Sequence, residues 1–220
     1  RDPLYNGLRL RKVDVSADIS YILSPEDIRT KTAEDINGIL YEQFSFDNFK
    51  WQQENNVKIS EPFRAEGLNR VLYKCPHCGA EGSMESGGAD ILCNACGKGY
   101  TLTEYGFMEA KEGKTEFPHI PDWYAWERDC VRHEILKGSY KLDVPVDIYM
   151  MVNTRKVYGI GEGRLTHGET GFRLTGCNGK LDYHQHPLAS YSLYSDYFWY
   201  EMGDVICIGD AAALYYCFPK

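Results

Sequence analysis

A chain of 220 residues with 24 Lys and Arg against 32 Asp and Glu carries a formal net charge of −8. That balance opposes nucleic acid and anionic membrane as default partners, because both reward a basic footprint. No apolar run approaches the roughly 20 residues of a membrane span, and the length allows one large domain or two small ones. Eight cysteines, some paired by spacing and others scattered through apolar runs, favour a reducing cytosol with one metal site over a disulfide framework. The start at Arg1 without Met reads as the edge of a region excised from something longer.

Residues 1–22 alternate weakly and predict one or two short strands or an extended arm. Ser24-Pro25-Glu26-Asp27 is a helix start, with an N-cap Ser, Pro at the first helical position and acids in the first turn. Thr32-Ala33-Glu34-Asp35 starts a second helix, whose Ile36, Ile39, Leu40 and Phe44 form a stripe. Ser45 is expected to cap a third short helix carrying Phe46, Phe49 and Trp51. The three helices predict a small helical layer that packs on something else. An extended run over 57–74 then leads to the densest chemical signal in the chain.

That signal is Cys75-Pro76-His77-Cys78-Gly79, answered across the fourteen residues that separate Cys78 from Cys93 by Cys93-Asn94-Ala95-Cys96-Gly97. Two Cys-x-x-Cys pairs at this separation read as a zinc ribbon, since each gap lets both sulfurs face one tetrahedral ion. The glycine after each second cysteine supplies the positive φ that the curl needs. Four thiolates make a closed shell with no vacant position, so the expected Zn²⁺ is structural and not catalytic.

After a linker at 111–114, Ile120-Pro121-Asp122 opens the longest predicted helix, which runs to Lys137 and stops at Gly138. Trp123, Trp126, Cys130, Val131 and Ile135 lie in its apolar stripe. Cys130 and His133 stand at i, i+3, a spacing at which a thiol–imidazole pair can meet, but the place of Cys130 on the stripe makes it a buried structural thiol. From Tyr140 the period changes to two, with turn signals that include Asn178-Gly179. Short strands at this spacing predict a closed barrel or sandwich. Gly159-Ile160-Gly161-Glu162-Gly163 has no helix after it and reads as a bulge or hairpin, not a phosphate loop. Asp182, His184 and His186 share one face of a presumed strand and could bind a second metal, although exposed polar residues of a barrel face are the more common explanation.

The chain therefore reads as an α+β protein: an N-terminal arm with short helices (1–56), a zinc ribbon (57–110), a connecting helix (111–138) and an antiparallel β-barrel (139–220). Several segments resemble the C-terminal region of bacterial lysophospholipid acyltransferase-like proteins, the 1-acyl-glycerol-3-phosphate acyltransferase family. They are the run from Glu61 to Tyr73, both cysteine knuckles, His119-Ile120-Pro121-Asp122-Trp123-Tyr124, and Gly203-Asp204-Val205-Ile206-Cys207-Ile208-Gly209. The resemblance implies a cytoplasmic, membrane-adjacent parent in phospholipid synthesis, with a catalytic acyltransferase domain as partner. That family's His-x-x-x-x-Asp motif is missing, because the fifth residue after each of the six histidines is Gly82, Tyr124, Gly138, Phe172, Ala189 or Tyr191. No catalytic residue carries over. Separately, Gly163-Arg164-Leu165-Thr166 and Gly171-Phe172-Arg173-Leu174-Thr175 resemble a pleckstrin-homology-like (GRAM-type) barrel, which implies docking to a protein or a lipid headgroup. Two readings compete with an accessory region: a free-standing zinc-ribbon interaction module, and a small metal- or thiol-dependent enzyme.

Overall fold

The computed structural model describes residues 17, 19–153, 156–189, 193–199 and 202–220. The strands expected within residues 1–22 fall almost wholly outside them. The described chain divides into two units at Glu127 and Arg128, so the first two sequence segments and the front of the connecting helix belong together.

In the first unit, α1 (Pro25–Thr30) and α2 (Ala33–Phe44) each begin with a reciprocal cap. Ser24 Oγ accepts from Asp27 N at 3.0 Å while Ser24 N donates to Asp27 Oδ2 at 2.9 Å, and Thr32 and Asp35 repeat the pattern. Neither helix has a buried residue, and Tyr41, Phe44 and Phe46 are exposed. The stripe of α2 is only partly covered: Ile36, Ile39 and Leu40 are half-buried and Phe44 is exposed. The helix α3 (Asn48–Glu54) is capped by Asp47 and not by Ser45. Ser45 is already used at the end of α2, where its hydroxyl donates to the Tyr41 carbonyl at 2.8 Å.

The ribbon is a four-stranded antiparallel sheet in sequential order: β1 (Met84–Gly87), β2 (Asp90–Cys93), β3 (Gly99–Leu102) and β4 (Met108–Ala110). Its core gathers Leu72, Ile91, Tyr100, Met108, Ile120 and Trp123 around Cys75 and Cys93. Ile120 and Trp123 come from α4 (Ile120–Leu136), which Gly138 ends at φ +66° with its N–H on the Ile135 carbonyl.

The second unit is a seven-stranded antiparallel sheet built from β5 (Leu142–Asn153), β6 (Lys156–Gly168), β7 (Gly171–Gly176), β8 (Leu181–Gln185), β9 (Tyr194–Trp199), β10 (Gly203–Gly209) and β11 (Leu214–Pro219). Its spatial order is β8-β7-β6-β5-β11-β10-β9. Among the described residues no ladder joins β8 to β9, so the expected closed barrel is corrected to an open sheet. The sheet curls so that its edge strand β8 reaches the inner strands β10 and β11: Gln185 Oε1 on β8 accepts from Gly209 N on β10 at 2.9 Å, and the Tyr183 and Tyr215 rings lie 5.2 Å apart. Val146, Ile148, Leu165, Leu174, Ile208 and Cys217 fill the concave side. Alternation along β10 and β11 sends Val205, Cys207, Tyr216 and Phe218 to the other face, beneath Trp199.

The glycine-rich run inside β6 is a bulge, the first of the two readings open to it, and not a hairpin. Gly161 sits at φ +145°, and the register with β5 shifts at Ile148/Tyr149. Two sequence runs thereby become one long bent strand. Gly163 faces Gly176 across β6–β7, and a Cβ on Gly163 would overlap the Thr175 carbonyl oxygen and the Ile148 side chain. Close approach of backbones, rather than flexibility, requires glycine there.

Candidate metal centre

Cys75, Cys78, Cys93 and Cys96 come together as sequence spacing requires, with all four sulfurs within 4.8 Å of one another. The Cys75–Cys96 and Cys78–Cys93 sulfur pairs are each 3.8 Å apart. A tetrahedron with metal–sulfur bonds of about 2.3 Å has edges of about 3.8 Å. No disulfide links the cysteines. The first cysteine of each pair is buried in the ribbon core and the second is exposed, so the cluster straddles the core boundary.

Each pair is wound the same way. Gly79 N and Gly97 N donate at 2.8 Å to the carbonyls of Cys75 and Cys93, and both glycines have positive φ, +75° and +78°. This winding aims backbone N–H groups at sulfur: those of His77 and Cys78 at Cys75, that of Ala80 at Cys78, and that of Lys98 at Cys96. Burial pushes the Cys75 thiol up to about 12, whereas the Ala80 N–H draws the Cys78 thiol down. Donors aimed at sulfur favour thiolates, and a buried thiolate needs a cation beside it. The residues present fit a metal ion.

The supports of the cluster carry less sequence signal. Lys74, just before Cys75, is held at both its backbone polar groups from α4: its N–H donates to Glu127 Oε1 at 2.8 Å, and its carbonyl accepts from Trp123 Nε1 at 3.0 Å. Glu127 is wholly buried, and burial raises its carboxyl to about 7 against the N–H groups of Lys74 and Tyr73. Its Oε2 has no hydrogen-bond partner among the described residues, which fits a protonated carboxyl better than a bare anion. On the other side, Glu116 accepts from Tyr100 OH at 2.6 Å and lies 3.2 Å from His77 Nδ1. Neither carboxylate was legible from spacing. An acid four residues after Trp123, on the stripe of α4, was the one available hint for Glu127.

Comparison of the chain with family models, curated proteins and solved structures finds no match.

The other candidates stand apart from this cluster. Asp182 is engaged by Arg173 through two bonds, at 3.0 and 2.9 Å. His184 Nε2 lies 2.9 Å from the Thr170 carbonyl, and the His184 and His186 rings are 4.2 Å apart. Among the described residues the tetracysteine group is the one set of three or more ligating side chains close enough to share an ion, so the Asp182–His184–His186 triad is not assembled. Cys130 is half-buried, not buried as expected, and makes no hydrogen bond with His133 among the described residues. Cys207 and Cys217 are buried, and burial raises both thiols to about 12. None of these thiols has the electropositive, open setting of a nucleophile.

Proposed function

We propose that the chain is a non-catalytic accessory module in which a structural Zn²⁺, held by Cys75, Cys78, Cys93 and Cys96, fixes one unit for docking to a protein partner. The observation that carries the reading is the set of four sulfurs within 4.8 Å of one another, two of whose six separations have the 3.8 Å length of a tetrahedral edge. Zinc is the ion that four thiolates at this separation favour, and a saturated shell leaves no place for substrate or activated water. The absence of a Cys130–His133 bond weighs against a thiol enzyme. Eight free cysteines suit a reducing cytoplasm.

Docking to protein is supported by α2 and the residues after it. A doubly capped helix of 12 residues with no buried position, followed by exposed Phe46, is marginal by itself in water. The net charge of −8 disfavours an anionic lipid headgroup as the principal partner. No helix among the described residues is long and apolar enough to cross a membrane. The resemblance noted above would make the partner a catalytic acyltransferase domain of phospholipid synthesis. A His-x-x-x-x-Asp domain in the same polypeptide, or one that co-purifies with it, supports that assignment; an unrelated partner leaves a zinc-ribbon interaction module.

X-ray absorption on the purified chain tests the central claim. The expected result is one zinc per chain with four sulfur neighbours. A spectrum with a nitrogen or oxygen neighbour in place of one sulfur would replace the scaffold by an open, reactive site.

A further inference from the structure

We propose a second metal site, a two-imidazole site for a borderline divalent transition ion such as Zn²⁺, formed by His184 and His186 without Asp182. The strand β8 makes the pair. Gln185, the last residue of β8, turns inward, where it is buried and accepts from Gly209 N, and His184 before it and His186 just past the strand end are both exposed with their rings in contact. Their ring centroids are 4.2 Å apart at an interplanar angle of 58°, and no hydrogen bond joins them.

The state of each ring follows from its neighbours. A carbonyl oxygen only accepts, so the contact of His184 Nε2 with Thr170 O at 2.9 Å places the proton on Nε2. The lone pair of the neutral ring then lies on Nδ1. An imidazole whose far nitrogen donates to a backbone carbonyl is oriented as metal-bound histidines are, because the hydrogen bond fixes both tautomer and ring plane. The carbonyl of His186 accepts from Ala189 N, but its ring is in no hydrogen bond among the described residues and keeps a nitrogen for the same ion. Both rings are exposed, so an ion can enter and solvent can fill its remaining positions.

The surroundings select the sign of the ligand. Glu169, beside Thr170 on the β6–β7 turn, lines both of the concavities that border the pair: one of about 940 Å³ that includes His184, and one of about 310 Å³ that includes His186. The cations that line the first concavity are each paired, Arg173 by its two bonds to Asp182 and Lys141 with Asp143 at 3.5 Å. That pairing also removes Asp182 as a ligand, which separates this site from the triad that spacing alone suggests.

The site is independent of the ribbon, and its test begins where the ribbon test ends. The full chain already carrying one zinc per four cysteines is titrated with Zn²⁺ by calorimetry, with imidazole nitrogen shifts followed by NMR. A second equivalent should bind and shift His184 Nδ1 and one His186 nitrogen. His184→Ala and His186→Ala should each weaken this step by at least about tenfold, and Asp182→Asn should leave it unchanged. The hydrogen bond His186 holds among the described residues is made by its backbone carbonyl, so truncating its side chain removes a ligand and leaves that bond in place. Stoichiometry that stops at one zinc overturns the proposal, as does a second equivalent that survives both histidine variants. Loss of the second equivalent in Asp182→Asn would overturn it in favour of the triad.

Discussion

The two units reach stability by opposite routes. The ribbon unit has four strands of three or four residues each, too little sheet to hold itself, and its core closes around two cysteine side chains. The strand unit has strands of up to 13 residues and two apolar clusters, one on each face of a curled sheet. Small units with little core need a cross-link, and a metal is one such device. Larger sheets need none, but they must solve closure and close packing, which here falls to the β6 bulge and the facing glycines.

The sharpest way to break this comparison is to remove the metal. Chelation, or Cys93→Ser, should unfold the ribbon unit and leave the strand unit folded, because binding energies on the order of 10 kcal/mol support structural zinc sites. Hydrogen exchange resolved by region would read it, with protection lost over β1–β4 and kept over β5–β11. Loss of protection in both would show that the ion stabilises the whole chain.

The converse variant is Gly163→Val. Its side chain has no room against the Thr175 carbonyl and Ile148, so the strand unit should lose about 3 kcal/mol or more. Zinc content should stay at one per chain. Unchanged denaturation of the strand unit would mean that β6 and β7 are not in contact at this pair.

Glu127 gives a smaller, pH-dependent effect confined to the ribbon. Its carboxyl is raised by burial from 4.5 to about 7, so the folded state holds a proton that the unfolded chain releases between those values. The stability it contributes is therefore present in full at low pH and lost as pH rises through 7. Glu127→Gln keeps an acceptor for Lys74 and removes the titration, so the variant should be the more stable at pH 8, by about 1–3 kcal/mol. Thiol protonation is common to both proteins and cancels in the difference. A difference that does not vary between pH 5 and 8 would show that Glu127 does not titrate in this range.

Arg173→Ala marks the low end. The Arg173–Asp182 pair is exposed on both sides, and solvent screens such a pair. Its loss should leave thermal unfolding within experimental error of the parent chain, and a clear drop would reveal a role in shaping the β6–β7 turn.

Local chemistry was legible where short sequence spans close on themselves. The Cys-x-x-Cys pairs, their following glycines, the Ser24 and Thr32 caps and the Gly138 stop each depend on neighbours within five residues, so the covalent chain nearly dictates them. The period-two pattern likewise marked β5–β11. The Gly159–Gly163 run signalled a bulge or a hairpin, and only the fold decided for a bulge inside one long strand.

Long-range partners were decided by the tertiary structure. That Glu127 would be drawn into the ribbon core to hold Lys74, that Arg173 would withdraw Asp182 from its histidine neighbours, and that seven strands would curl without a β8–β9 ladder all depend on residues brought close by folding. Spacing records which atoms a few peptide bonds can bring together. It does not record which distant donor will satisfy a buried carboxyl, or where a bent sheet will stop, since those follow from desolvation and packing summed over the whole core.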